Sequence, residues 1–162
     1  MGSMAKEIER KFLVIKNLLP KLKNGVLYIQ GYLCLQPLIR FRIIGKKVIL
    51  NIKHGKMGSI TRDEWEFFNN LDDKEIRRLI GLSCKKPIEK IRYKIKHKNL
   101  VWEIDAYQKE NEGLITVEAE IPSENHQIEF PSWVDSKQEI THNPRYFNAN
   151  LGENPYKEFA KF

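Results

Sequence analysis

Between residues 7 and 121 the chain alternates polar and apolar positions with the two-residue period of a β-strand, broken by turns and one stretch of helical period. Residues 7–14 put Glu7, Glu9 and Lys11 on one face and Ile8, Phe12 and Val14 on the other, with Arg10 as the one misfit. A second strand is expected over 28–35, where Gly31 marks either a bulge or the close approach of another backbone, and Pro37 ends it. A third, over 38–44, sets Arg40 and Arg42 against Ile39, Phe41 and Ile43; Gly45-Lys46-Lys47 then supplies a tight hairpin turn. In the fourth, over 48–54, Asn51 and Lys53 oppose Leu50 and Ile52. Gly55-Lys56-Met57-Gly58-Ser59, expected to be a flexible loop, leads to a fifth strand over 61–67 with Arg62, Glu64 and Glu66 on one side and Trp65 and Phe67 on the other.

The period then changes. Over 72–80, Ile76, Leu79 and Ile80 recur at helical spacing, Asp72 can cap with Glu75 three residues on, and Gly81 terminates, which predicts an amphipathic helix that covers a sheet. Strand character resumes over 88–97, with Lys90, Arg92, Lys94 and Lys96 against Ile91, Tyr93 and Ile95. A seventh strand over 100–108 sets Glu103 and Asp105 against Trp102 and Ile104, and an eighth over 114–121 sets Glu118 and Glu120 against Val117, Ala119 and Ile121. Beyond Pro122 the alternation fades, and 139–162 reads as turns and short helices. Trp133, Tyr146, Phe147 and Leu151 of the tail are expected to pack on the domain.

Eight antiparallel segments are enough to close a small β-barrel. The charged faces can point out to water, as in a single half-wet strand, or inward as a lining. Two features favour the lining: the apolar face carries bulky Phe41, Trp65, Phe67, Tyr93 and Trp102, suited to helices packed outside, and the charged face is rich in Glu-x-Glu and Arg-x-Arg steps. The expectation is therefore an α+β fold, a closed eight-stranded antiparallel barrel with a charged interior and helices outside. Polar-lined, apolar-jacketed barrels otherwise belong to membranes, but no signal peptide precedes the first strand and helical segments interrupt the series.

Composition narrows the setting. With 162 residues, one domain is the default at ~100–200 residues per domain. Met1-Gly2-Ser3 ahead of Met4 looks like an expression-tag remnant, leaving 4–162 as the domain. No apolar run approaches the ~20 residues of a membrane helix, so a soluble cytoplasmic protein without a membrane partner is expected. The net charge of +7 favours an anionic partner without choosing between nucleic acid, a membrane surface and a small polyphosphate. Cys34 and Cys84 lack any metal or redox spacing and read as free thiols, while His54, His97, His126 and His142 fall at strand ends or in loops and read as surface residues.

An ion lining is costly to desolvate unless its charges are paired or a charged ligand completes them. Lys11, Arg40, Arg42, Lys53, Arg62, Lys90 and Arg92 suit a multiply charged anion, Arg offering forks to phosphate oxygens. Glu7, Glu9, Glu64, Glu66, Asp105, Glu118 and Glu120 would repel that anion unless a hard divalent cation lay between. Mg²⁺ or Mn²⁺, held by a few carboxylates and by substrate phosphates, reconciles the two sets.

These residues, in this order, resemble the CYTH domain of the triphosphate tunnel metalloenzymes. Glu7-Ile8-Glu9-Arg10-Lys11 fits the family's ExExK signature, and Tyr28-Ile29-Gln30-Gly31-Tyr32-Leu33 fits the following strand of its short bacterial branch. Arg40-x-Arg42, Lys53, Arg62-x-Glu64-x-Glu66, Lys90-Ile91-Arg92-Tyr93, Trp102-Glu103-Ile104-Asp105 and Glu118-x-Glu120 follow in family order, and Pro131-Ser132-Trp133 and Arg145-Tyr146-Phe147-Asn148 resemble its tail. The resemblance implies a tunnel that holds a triphosphate end-on. Lys11, Arg40, Arg42, Lys53, Arg62, Lys90 and Arg92 would grip phosphates, and Glu7, Glu9, Glu118 and Glu120 would hold the metal. Glu64, Glu66 and Asp105 would form the catalytic set that places a second metal or the attacking water. It also implies metal-dependent hydrolysis of a triphosphate, inorganic tripolyphosphate first. Class IV adenylate cyclases and thiamine-triphosphatases share the scaffold but need a base or thiazole pocket, for which no added motif is found. A non-catalytic module binding polyphosphate or RNA is the alternative of another class, and the Glu-x-Glu pairs argue against it. A homodimer through a sheet edge or the C-terminal tail is left open.

Overall fold

The computed structural model describes residues 3–56 and 60–160. Residues 1–2 of the expected tag remnant and 57–59 of the expected loop lie outside the described residues. The strands are β1 (Ser3–Val14), β2 (Val26–Leu35), β3 (Leu38–Ile44), β4 (Lys47–His54), β5 (Thr61–Asn70), β6 (Ile88–His97), β7 (Leu100–Tyr107), β8 (Ile115–Glu120) and β9 (Val134–Glu139). Helices are α1 (Asp73–Gly81), α2 (Asn148–Leu151) and α3 (Tyr156–Phe159). The pairing order β5-β4-β3-β2-β6-β7-β8-β1 returns to its start through β1–β5 pairs from Ser3↔Glu66 to Ile8↔Thr61, so eight antiparallel strands form a ring. Farther along, β1 exchanges this neighbour for β9, paired through Leu13↔Asp135 and Val14↔Val134.

The alternation that predicts the strands also sorts their faces, because a side-chain period of two fixes what points in and what points out. Apolar side chains form three clusters, two on the outer faces and one at an end of the ring. On the outer side of β1, β7 and β8, Phe12, Trp102, Ile104, Val117 and Ala119 are buried with Trp133 and Val134. Phe130 and Trp133 each lie against the Trp102 ring. Behind β3 and β4, Phe41, Ile43 and Val48 are covered by Ile76, Leu79 and Ile80 of α1. That helix starts with the expected capping box: Asp72 accepts from the Glu75 amide and Glu75 from the Asp72 amide. Ile88, Tyr107, Leu114 and Leu13 all sit at one end of the ring, where Leu151, Tyr146, Tyr156 and Phe159 pack over them and cap it.

Two glycines have clear duties. A Cβ on Gly31 would lie 2.2 Å from Phe41 Cζ and 2.8 Å from Ser83 Oγ, and the β2–β3 register shifts just beyond it between Tyr32 and Cys34, so close approach and irregularity occur together. Gly45, at φ +59°, turns the β3–β4 hairpin.

One expectation is corrected. The alternation fades after Pro122, but β9 forms there: Val134 alone is buried, Asp135 is half-buried and the rest is exposed edge, so burial imposes almost no period on it. The jacket is also only partly helical, since coil and β9 cover the face that α1 does not.

Candidate functional site

The inward faces of the ring enclose a cavity of about 820 Å³. Its wall includes Glu7, Glu9 and Lys11 from β1, Arg40 and Arg42 from β3, and Arg62, Glu64 and Glu66 from β5. On the opposite side stand Arg92 and Lys94 from β6, Glu103 from β7, and Glu118 and Glu120 from β8. Eleven of the fourteen sequence-predicted site residues therefore share one wall, and the other three lie buried behind it. Lys53, Lys90 and Asp105 are almost wholly inaccessible and engaged in ion pairs. Among the described residues no histidine lines this cavity.

On the β6–β7–β8 side the charges are closely neutralised. Cross-strand partners Arg92↔Asp105 bring the guanidinium over the carboxylate, with Nε–Oδ1 and Nη2–Oδ2 both at 2.7 Å. Lys90 Nζ donates to the same Asp105 Oδ2 at 2.6 Å. Arg92 also reaches Glu118 at 3.1 Å and pairs with Glu103, and Lys11 Nζ lies 3.2 Å from Glu118. Burial raises the Asp105 carboxyl, but Lys90 and Arg92 outweigh it and hold it below the usual range. Glu118 is driven well down in the same way by Lys11 and Arg92. At the floor, Lys11 Nζ contacts Tyr107 Oη at 3.4 Å and the Tyr146 carbonyl at 3.3 Å, which ties the C-terminal cap to the wall.

The β3–β4–β5 side is a second network. Arg40 lies 3.6 Å from Glu64, Arg42 lies 3.4 Å from Glu66, and Lys53 pairs with Glu7. Asn51 donates to Glu64 at 2.6 Å and Glu66 at 2.8 Å. Cations crowd one another here: burial, then Arg40 and Arg92, bring Arg42 down to about 10, and its Nε is buried without a hydrogen-bond partner.

Between these networks the carboxylates crowd instead. Glu9 faces Glu120 directly across β1–β8, a like-charge pairing that costs stability. Burial, then the Glu118 and Glu7 charges, push the Glu9 carboxyl up to about 7 against Lys53 and Arg92. Glu120 is also raised, by burial and by Glu7 and Glu103. Among the described residues neither Glu9 nor Glu120 has an ion pair, and no three Asp, Glu, His or Cys side chains are arranged as a complete metal cage. An all-oxygen donor set with excess negative charge nonetheless fits a hard divalent cation, which binds through one or two carboxylates and completes its shell with water and substrate oxygens.

The unassigned wall residues differ in how visible they are in the sequence. Glu103 and Lys94 continue the alternation that turns Asp105 and Arg92 inward, and Asn51 shares its face with Lys53. Tyr28 and Tyr32 belong to the second strand's inner face. Thr141 and residues 146–149 reach the wall from the C-terminal segment, where no periodicity points to them. A second cavity of about 750 Å³, lined by Lys53, His54 and Lys56, shares Leu38 and Arg62 with the first. Cys34 and Cys84 are free thiols.

Residues 5–156 match a family model described as CYTH domain. The chain is 40% identical over 161 residues to an inorganic triphosphatase from Acetivibrio thermocellus, an alignment covering 98% of this chain and 100% of that protein. Among solved structures, the inorganic triphosphatase NE1496 is similar with a TM-score of 0.64 at 27% identity, over 90% of this chain and 93% of that one.

Proposed function

The chain belongs to the CYTH domain family, and on that premise we propose that it hydrolyses a triphosphate, inorganic tripolyphosphate first, with a divalent metal ion. One observation carries the reading. A single cavity holds a guanidinium depressed by burial and by neighbouring cations, Arg42, and a carboxyl raised by burial and by neighbouring carboxylates, Glu9. A metal–triphosphate pair relieves both, the anion meeting the arginines and the cation meeting the glutamates. A simple anion binder would gain nothing from the second group.

Lys11, Arg40, Arg42, Arg62 and Arg92 line the wall and bind phosphate oxygens, with Lys53 and Lys90 adding positive charge from behind it. Glu7, Glu9, Glu118 and Glu120 would hold the metal, Mg²⁺ or Mn²⁺, which supplies neutralisation of the charge that builds on the phosphate oxygens. Glu64 and Glu66 orient the attacking water. Asp105 takes a different part from the one its sequence position suggests: enclosed by Lys90 and Arg92, it fixes those cations rather than reaching the reactants. Water attacks the terminal phosphorus in line, its P–O bond forming as the bridging P–O bond breaks; orthophosphate and pyrophosphate leave and a proton is released. Positioning and charge neutralisation supply the catalysis, without a covalent enzyme intermediate.

The test is a panel of tripolyphosphate, ATP and thiamine triphosphate with Mg²⁺ or Mn²⁺ and product identification. Fastest release of orthophosphate from tripolyphosphate is expected. Cyclic AMP with pyrophosphate from ATP would replace this reading by a cyclase.

A further inference from the structure

Asn51 is a neutral residue among charges and has no accessible surface. It stands on β4 directly opposite Glu66 of β5, two pairs along from Lys53↔Glu64 on the same face, and on its other side it faces Arg40 of β3. Its Nδ2 donates to Glu64 Oε1 at 2.6 Å and to Glu66 Oε2 at 2.8 Å, while its Oδ1 accepts from Arg40 Nε at 3.4 Å. The orientation is dictated by electrostatics, since a flipped carboxamide would aim its oxygen at two carboxylates and its N–H groups at a guanidinium. The nearby ion pairs fall on the same two oxygens, Glu64 Oε1 and Glu66 Oε2.

We propose that Asn51 is the positioning residue for Glu64 and Glu66, a neutral clamp that holds both carboxylates side by side on β5 with one oxygen of each outside the clamp. The proposal rests on the reading in which those carboxylates act on a metal or on the attacking water. A neutral amide suits the place for a physical reason. A lysine or arginine there would tie the carboxylates equally well but cancel the charge they present, and an aliphatic residue would leave two like charges to separate. Each amide N–H takes one carboxylate, so the pair is fixed relative to one another as well as to the wall.

The test compares Asn51→Ala and Asn51→Ser with the wild type, with folding checked by circular dichroism. In tripolyphosphate hydrolysis, Asn51→Ala lowers kcat about 10–100-fold, the usual effect of removing a group that orients a ligand, with KM within about twofold because only one phosphate-binding cation, Arg40, loses a contact, and that contact is the long one at 3.4 Å. Asn51→Ser, with one hydroxyl proton to donate, lies between. Independently of turnover, the rise in melting temperature on adding Mn²⁺ alone requires more Mn²⁺ in Asn51→Ala than in the wild type. Unchanged kcat and an unchanged Mn²⁺ response in folded Asn51→Ala, or a raised KM with unchanged kcat, overturns the clamp. Should Asn51→Ala not fold, the Mn²⁺ response of Asn51→Ser decides, and a wild-type response overturns the clamp. A wild type that releases no phosphate overturns the proposed function, and the Mn²⁺ response then still decides on the clamp.

Discussion

Glu9 and Asp105 are both carboxyls deep in the ring, yet their neighbours drive them in opposite directions. Glu9 is raised from an ordinary 4.5 to about 7 by burial and adjacent carboxylates, whereas Asp105 is lowered by Lys90 and Arg92. Between about 4.5 and 7 the folded metal-free protein keeps a proton on Glu9 that the unfolded chain has lost. Its stability therefore falls as pH rises through that window and levels off above it, and raised Glu64 and Glu120 act in the same sense. Below that window the lowered Glu7, Asp105 and Glu118 act oppositely, and stability is lost as they are protonated. Melting temperature in EDTA should decline from pH 5 to pH 7, and saturating Mg²⁺ should abolish the decline; a steady rise over that range in EDTA would contradict these environments. Asp105 also carries a stability prediction. Asp105→Ala leaves Lys90 and Arg92 buried without their shared partner, and unfolding in urea should show a loss of about 3–5 kcal/mol. A loss under 1 kcal/mol would mean that the ion cluster is open to water.

The hydrophobic–polar alternation made the elements legible wherever one face meets the ring interior and the other meets a jacket. It worked for β1 through β8 because both faces are constrained, so each position carries information. Arg10 shows its limit and its use: set between Ile8 and Phe12 on the outer face of β1, it lies beyond the apolar core and forms a forked pair with Glu139 of β9, at 2.9 and 2.5 Å. β9 itself was not legible, because an exposed edge strand with one buried residue has no pattern to read. Asn51 was visible only by its face, since a neutral side chain adds nothing to a charge pattern. Tyr146 and Phe147 were legible as residues that pack on the domain, but not as part of the cavity wall, because the turns and the four-residue helix α2 that place the tail carry no period long enough to read. Helix α1 was legible from its cap and its stripe alike, and the cap can be weighed: Asp72→Ala should cost about 1 kcal/mol in chemical denaturation while leaving catalysis unchanged. No change in stability would show that the capping box does not form.

At the scale of the molecule, closure of the ring is what converts scattered motifs into a site. The Glu-x-Glu of β1 and that of β8 become neighbours through direct pairing, and the arginines of β3 face them across the cavity because seven further strand pairings complete the circuit. No linear window of the sequence contains this juxtaposition; the ordered series of charged faces does, once the strands are assumed to close. The arrangement is poised rather than relaxed, with cations gathered on one part of the wall and unpaired glutamates on another. The most direct test is phosphorus NMR of tripolyphosphate incubated with the wild type and with Glu9→Gln, each with Mn²⁺ and with EDTA. Orthophosphate and pyrophosphate should grow in together only for the wild type with Mn²⁺, with Glu9→Gln at least about 100-fold slower though folded. Equal hydrolysis in EDTA, or wild-type hydrolysis by Glu9→Gln, would contradict a metal–triphosphate site in the ring.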